Sequence, residues 1–153
     1  MAIVSAENHF KKGLEALVDE NFVDAAMHFR RAIDVEHQRR VAHPDMRYLS
    51  YYGLCRAKAH GRLEEAIHSC RRAARVRSQD PEMFLNLGRV YLSARRRRNA
   101  FDSFQDGLKL DPDHAVLRRE SDQLERKFPN QTGSGGSFFS KVRAVWSRPI
   151  ASP

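Results

Sequence analysis

Seven histidines and two cysteines are the side chains of this sequence best suited to hold a metal or to attack a substrate. The histidines are dispersed, and none forms a pair at metal-ligand spacing with a third ligand nearby. There is no H-E-x-x-H motif and no G-x-S-x-G motif. We do not expect Gly133-Ser134-Gly135-Gly136 to be a phosphate-binding loop, because no strand precedes it. The sequence therefore predicts no catalytic residue, no metal site and no cofactor.

Cys55 and Cys70 are not in a C-x-x-C arrangement, and we expect no disulfide between them. The first residues lack the basic-then-apolar order of a signal peptide. The sequence also has no apolar run of about 18 residues, the length that a transmembrane helix needs. We therefore expect a cytoplasmic protein.

Positive charge is the strongest compositional feature, with a formal net charge of +8. The bases are clustered, for example at Arg71-Arg72 and in a basic surface patch formed by Arg95, Arg96, Arg97 and Arg98. Three interpretations are open: a solvated outer face, a surface for an acidic partner, or contact with nucleic acid or an anionic membrane.

The sequence contains three stretches that resemble one another, and the elements that they form hold the residues described above in place. An alanine occupies the same place in each stretch, at Ala25, Ala66 and Ala100, and the last two stretches begin 34 residues apart, at Arg47 and Pro81. A fixed period of this length indicates a repeat architecture.

The third stretch resembles the tetratricopeptide repeat closely, with Phe84, Leu87-Gly88, Tyr91, Ala100, Phe104 and Asp111-Pro112 at its signature positions. Gly13, Ala25, Phe29 and Ala32 are in register in the first stretch. In the second, Leu63, Ala66 and Ala73 match, but the Leu-Gly pair is inverted to Gly53-Leu54 and Cys70 replaces the phenylalanine.

The resemblance implies an all-α protein, a right-handed α-solenoid of three units and a C-terminal capping helix. The units are expected at residues 6–39, 47–80 and 81–114 and the cap at 115–128, within a domain of residues 1–128. Seven extra residues around Arg40 to Met46 should lengthen the second helix and its loop. Asp80-Pro81 and Gly61 have the composition of helix ends, and Asp111-Pro112-Asp113 should end the last repeat helix and cap the next one.

Beyond the cap, residues 129–137 have the composition of a flexible linker. Residues 138–153 form a basic tail, either amphipathic or disordered. The tail has three possible roles: docking on the protein's own groove, weak contact with a membrane surface or partner, or none.

In this family the first helix of each unit lines a concave groove that binds peptides. By position, the resemblance places in the groove Phe10, Leu14, Leu17, Tyr48, Tyr51, Tyr52, Cys55, Lys58, Leu85, Asn86, Arg89 and Leu92. The tyrosines offer an apolar body with a hydroxyl. Lys58 and Arg89 would favour a ligand with some acidic character.

Family members that hold the acidic C-terminus of heat-shock chaperones use a clamp of Lys, Asn and Arg side chains. The corresponding places here hold Phe10, Leu14, Tyr52, Glu82 and Asn86, so that ligand class is not expected.

The resemblance implies a non-catalytic adaptor that binds a peptide or helical segment of another protein, of acidic and apolar character, and no small-molecule substrate. A secretion-type chaperone that holds an extended client segment is one alternative. A nucleic-acid or anionic-membrane binder that works through the arginine-rich face is the other.

Overall fold

The computed structural model describes residues 5–132, and this part of the chain contains seven α-helices and no strand. The all-α prediction is therefore confirmed. The helices are α1 (Ala6–Val18), α2 (Phe22–Gln38), α3 (Met46–His60), α4 (Leu63–Val76), α5 (Pro81–Ser93), α6 (Arg97–Leu110) and α7 (Ala115–Lys127). The predicted tail and most of the predicted linker lie outside the described residues. No helix within residues 5–132 is long and apolar enough to cross a lipid bilayer.

The helices form three consecutive pairs, α1–α2, α3–α4 and α5–α6, which we call units one, two and three, and α7 follows them. Each helix packs against the next along the chain, and the first helices α3 and α5 also pack against each other. Because one pair cannot bury its apolar face alone, stacking of the pairs supplies the core.

Most of the helices have a short polar side chain at the N-cap position. Asp45 and Asp80 accept hydrogen bonds from the backbone amides of Arg47 (2.9 Å) and Glu82 (3.1 Å), and Pro81 follows Asp80 at the first helical position. The cap predicted for α7 was wrong. Its N-cap is His114, whose Nδ1 accepts from the amide of Leu117 at 3.2 Å, whereas the Asp111-Pro112-Asp113 segment ends α6 and forms the turn.

The seven extra residues lengthen both α2 and the connection after it. Helix α2 has 17 residues, whereas α4 and α6 have 14 each. Helix α2 ends at Gln38, and Arg40, two residues later, has left-handed backbone (φ 49°). The amide of Val41 donates to the carbonyl of Glu36 at 3.1 Å. The connection spans residues 39–45 and ends where Asp45 caps α3.

The core consists of two apolar clusters that meet at α3. One is formed by unit one with two residues of α3, Tyr48 and Cys55. The other joins units two and three to α7 and takes Met46, Leu54 and Ala57 from α3. Helix α3 is therefore buried on opposite sides by different parts of the chain.

Within each pair, a glycine of the first helix lies against one side chain of the second. A Cβ atom at Gly13 would lie 2.5 Å from Cε1 of Phe29, and one at Gly88 would overlap the ring of Phe104. In unit two, a Cβ at Gly53 would lie 3.0 Å from Sγ of Cys70. These contacts bring the two helices of each unit close together.

Gly88→Ala should destabilise the protein by about 1–3 kcal/mol, because the new methyl group overpacks a buried ring. Phe104→Leu should also destabilise, through a cavity. In the double variant the methyl group has room, so its free energy of unfolding should exceed the additive expectation by at least about 0.5 kcal/mol. Urea denaturation of the four proteins measures this coupling, and strict additivity would contradict the contact.

Two turns offer a matched test of backbone strain. Gly61 (φ 63°) and Arg95 (φ 58°) both have left-handed backbone at helix ends, and no atom lies within 4 Å of a Cβ built at Gly61. Gly61→Ala should therefore cost about 1 kcal/mol of unfolding free energy, whereas Arg95→Gly should gain about 0.5–1 kcal/mol. Thermal denaturation gives the two signs, and shifts in the same direction would contradict the assignment.

Candidate functional site

The glycine contacts define which residues of the three first helices are equivalent. Gly53 occupies the place of Gly13 and Gly88, so the α3 residues equivalent to Phe10, Leu14 and Leu17 are Ser50, Leu54 and Ala57. The sequence prediction matched the three stretches at Ala25, Ala66 and Ala100, and it therefore assigned each groove position of α3 to the next residue along the chain. The structure has one more residue between Gly53 and Ala66 than between the corresponding residues of the other units.

This one-residue difference moves several predicted groove residues to other sides of α3, because each helical residue turns by about 100°. Tyr48 and Cys55 are buried against unit one and are not available to a ligand in this structure. Tyr52 is half-buried: it packs against the apolar cluster of unit one and borders a small depression with Glu65 and Ser69. Lys58 is exposed near the end of α3.

An aromatic cluster joins unit one to unit two. The ring of Phe10 lies 5.6 Å from that of Phe29, 5.1 Å from that of Tyr48 and 5.5 Å from that of Tyr51. The guanidinium of Arg47 lies 4.8 Å from the centre of the Phe10 ring. Phe10 is buried, so the cluster connects the two units rather than forming an open binding surface.

Tyr51 is also held by a polar contact with unit three. Its hydroxyl donates to Oε2 of Glu82 at 3.4 Å. Burial and the negative charge of Glu82 raise the pKa of Tyr51 to about 12, so its hydroxyl stays protonated at neutral pH. His114 of the turn before α7 lies 2.9 Å from Oε1 of the same carboxylate.

Arg89, which was predicted to attract an acidic ligand, is neutralised by the cap helix. Its Nη2 donates to Oε1 of Glu120 at 3.0 Å, and its Nε donates to the same oxygen at 3.2 Å. Arg47 and Glu7 form a similar pair across α1 and α3, at 3.2 Å. The first helices therefore carry few unpaired cations.

Leu85 and Asn86 lie in the interface between α3 and α5. Both are buried, and Nδ2 of Asn86 donates to Oγ of the buried Ser50 at 3.2 Å. The predicted groove residues that keep accessible surface on the first helices include three half-buried leucines. We define the first-helix face by the equivalent positions that are not fully buried: Lys11, Leu14, Leu17, Tyr51, Arg89 and Leu92.

The basic surface patch is partly used within the protein. Arg96 is hydrogen-bonded to Glu64. The guanidinium of Arg97 lies 3.9 Å from the centre of the Phe128 ring and donates to Oε1 of Gln131 at 2.8 Å. Arg95 lies two residues beyond the end of α5, and Arg95 and Arg98 are exposed. At least two of the four arginines therefore fasten α6 to neighbouring elements.

A cleft of about 510 Å³ lies where the extra residues pass between α2, α3 and α4. Sequence reasoning did not predict it, although the insertion around Arg40 to Met46 was its visible signal. Within residues 5–132, no group of three or more His, Cys, Asp or Glu side chains is placed to hold a metal ion.

The two thiols should be unreactive in the native protein. Cys55 and Cys70 are free and fully buried, and burial raises the pKa of each thiol to about 12. Because only the thiolate is nucleophilic, an aromatic disulfide reagent at mildly alkaline pH should label neither cysteine within minutes. Both should react after unfolding in guanidinium chloride, and rapid labelling of the folded protein would contradict the burial.

Comparison with known proteins gives matches only at the level of structure. No protein-family model and no curated protein sequence matches this chain. Among solved structures, it resembles the tetratricopeptide domain of Arabidopsis OM64 at 16% identity and a TM-score of 0.63, over 79% of this chain and 94% of that one.

Two other structures are similar to the same degree. The Sgt2 tetratricopeptide domain of Aspergillus fumigatus matches at 15% identity and a TM-score of 0.64, over 97% of this chain and 87% of that one. The first tetratricopeptide domain of Spaghetti (RPAP3), solved with the HSP90 peptide SRMEEVD, matches at 11% identity and a TM-score of 0.65. That match covers 82% of this chain and 97% of the other. The repeat pattern, the seven helices and these structural neighbours together show that this chain has the tetratricopeptide-repeat fold, a right-handed α-solenoid.

Proposed function

We propose that this protein is a non-catalytic adaptor that binds a segment of another protein on its first-helix face. The observation that carries the proposal is the set of half-buried leucines on two first helices: Leu17 of α1 and Leu92 of α5 occupy equivalent positions, and Leu14 lies one turn before Leu17. Leucines repeated along one face of a stacked-helix fold suit an extended or helical segment with spaced apolar side chains.

The charge of this face favours an apolar segment rather than a strongly acidic one. Arg47 and Arg89 are paired with Glu7 and Glu120. The solved Spaghetti domain holds an acidic HSP90 peptide. In our chain the places of a carboxylate clamp hold Phe10, Leu14 and Glu82 among others, and the shifted register of α3 puts Tyr51 rather than Tyr52 at its place. We therefore do not propose that ligand here.

The proposal includes a cytoplasmic location, with which two buried free thiols are compatible. A chaperone that holds an extended client would use the same face. The two roles differ in selectivity: an adaptor should prefer one sequence, whereas a client-holding chaperone should accept many apolar segments.

The test starts from peptides selected on the full chain from a phage-displayed random library. The best peptide should bind with micromolar affinity, on the order of −7 to −8 kcal/mol. Titration followed by amide NMR should shift signals of α1, α3 and α5. Signal changes confined to α2, α4 and α6 would contradict the proposal without requiring any variant.

A matched pair of variants provides the second measurement. The double variant Leu14→Ser with Leu92→Ser should weaken the selected peptide at least about tenfold, through lost apolar contact. Val76→Ser, at the exposed end of α4, should leave the affinity unchanged. Melting curves establish that each variant is folded, and an unchanged affinity for the folded double variant would exclude the first-helix face.

A further inference from the structure

The cleft between α2, α3 and α4 lies outside the first-helix face. Its sides come from the end of α2, the connection 39–45, the start of α3 and one arginine of α4. We call it the second-helix cleft; its lining residues are Ile33, Glu36, His37, Arg40, Val41, Pro44, Asp45, Met46, Leu49 and Arg72. It lies between units one and two, where the chain has the extra residues.

Hydrogen bonds fix the connection that forms one side of the cleft. The backbone amide of Asp45 donates to both carboxylate oxygens of Glu36, at 3.2 and 3.0 Å. The carboxylate of Asp45 is in turn bound by the amide and guanidinium of Arg47, at 2.9 and 2.8 Å. Both acidic side chains that line the cleft are thus already engaged, and the cleft is formed before any ligand arrives.

The cleft combines aliphatic side chains with unpaired cations. Ile33, Met46 and Leu49 are buried or half-buried, and Val41 exposes 39% of its surface. Such a surface can take one or two aliphatic or aromatic side chains of a ligand.

Arginines extend from the cleft along α4. Arg72 also lines an adjoining depression of about 340 Å³, together with His68, Arg71 and Arg75. Within residues 5–132, eight arginines form ion pairs. In the same range Arg40, Arg71, Arg72 and Arg75 make no ion pair, and all four are exposed. Other arginines of this range, such as Arg98 and Arg119, also make no ion pair, but Arg71, Arg72 and Arg75 lie together on one helix beside an apolar cleft.

We propose that the second-helix cleft and the adjoining arginines bind an acidic segment of another protein. One apolar side chain of the segment enters the cleft beside Val41 and Leu49. Flanking Asp or Glu side chains pair with Arg71, Arg72 and Arg75, whose planar guanidinium groups suit carboxylates.

Other occupants fit these observations less well. The chain's own residues 129–153 contain three basic residues and no acidic one, so the arginines would repel them. A second copy would bring another net charge of +8. Binding of single-stranded nucleic acid combines a basic groove with stacking of bases on aromatic side chains, and His37 is the only aromatic residue in the lining of the cleft.

The test uses the full chain and the synthetic peptide Glu-Glu-Phe-Leu-Glu-Glu, with acetylated and amidated ends. Two control peptides replace either the four Glu by Lys or the Phe-Leu pair by Ser-Ser. Near physiological salt, the first peptide should shift the amide signals of residues 33–49 and 68–75 and bind at least tenfold tighter than either control. No binding, or equal binding of the Ser-Ser peptide, would overturn the proposal.

Two charge-reversal variants distinguish binding at the second-helix cleft from attraction of the peptide to the net positive charge of the protein. Arg71→Glu with Arg72→Glu should weaken the peptide at least tenfold. Arg98→Glu with Arg119→Glu changes the net charge equally at exposed positions outside the cleft and should weaken it less than threefold. Equal losses would mean that only net charge matters. Val41→Asp, at an exposed position of the connection, should also weaken binding.

The remaining outcomes identify other occupants and keep the two proposals distinct. Tighter peptide binding after deletion of residues 133–153 would assign the cleft to the tail. Displacement of the peptide by a single-stranded oligonucleotide with an affinity above that of the peptide would assign it to nucleic acid. Amide shifts on α1 and α5 alone would place the peptide on the first-helix face, which would overturn this inference and leave the adaptor proposal intact.

Discussion

The contact of a glycine on each first helix with one side chain on the second is the constraint on which this structure depends. Gly13 against Phe29 and Gly88 against Phe104 allow the two helices of a unit to approach until a ring fills the space between them. The contact sets both the separation of the helices and the rotation of the first helix. The rotation decides which side chains of each first helix belong to the first-helix face.

In unit two the glycine, Gly53, contacts the sulfur of Cys70 instead of an aromatic ring. This difference explains why the sequence predicted the helix pairs correctly but the rotation of α3 incorrectly. Pairing of helices, their ends at Asp80-Pro81 and Gly61, and the lengthening around Arg40 were predictable, because caps and breakers act locally. The rotation of α3 was not, because one extra residue before Ala66 moves each side chain by about 100°. Cys70 in place of phenylalanine and the inverted Gly53-Leu54 pair were its only signals.

Contacts between residues far apart in the sequence could not be predicted either. The pairing of Arg89 with Glu120 joins residues 31 positions apart, and nothing in either segment indicates the partner. The same holds for Tyr51 and Glu82. As a result, the first-helix face is closer to neutral than its composition suggested, whereas Arg71, Arg72 and Arg75 of α4 make no ion pair within residues 5–132. The two faces therefore differ in the chemistry of their side chains.

The division of the core at α3 has a consequence for how the molecule opens. Unit one buries its apolar side chains in a cluster that shares only α3 with the remainder of the fold. In a linear array, stability is a sum of unit and neighbour terms, so a terminal unit can detach while the others stay folded. Amide hydrogens of α1 and α2 would then exchange with solvent in a cooperative step of their own, below the free energy of global unfolding. Helix α3 packs against both apolar clusters and is therefore the boundary between these two cooperatively unfolding parts of the protein.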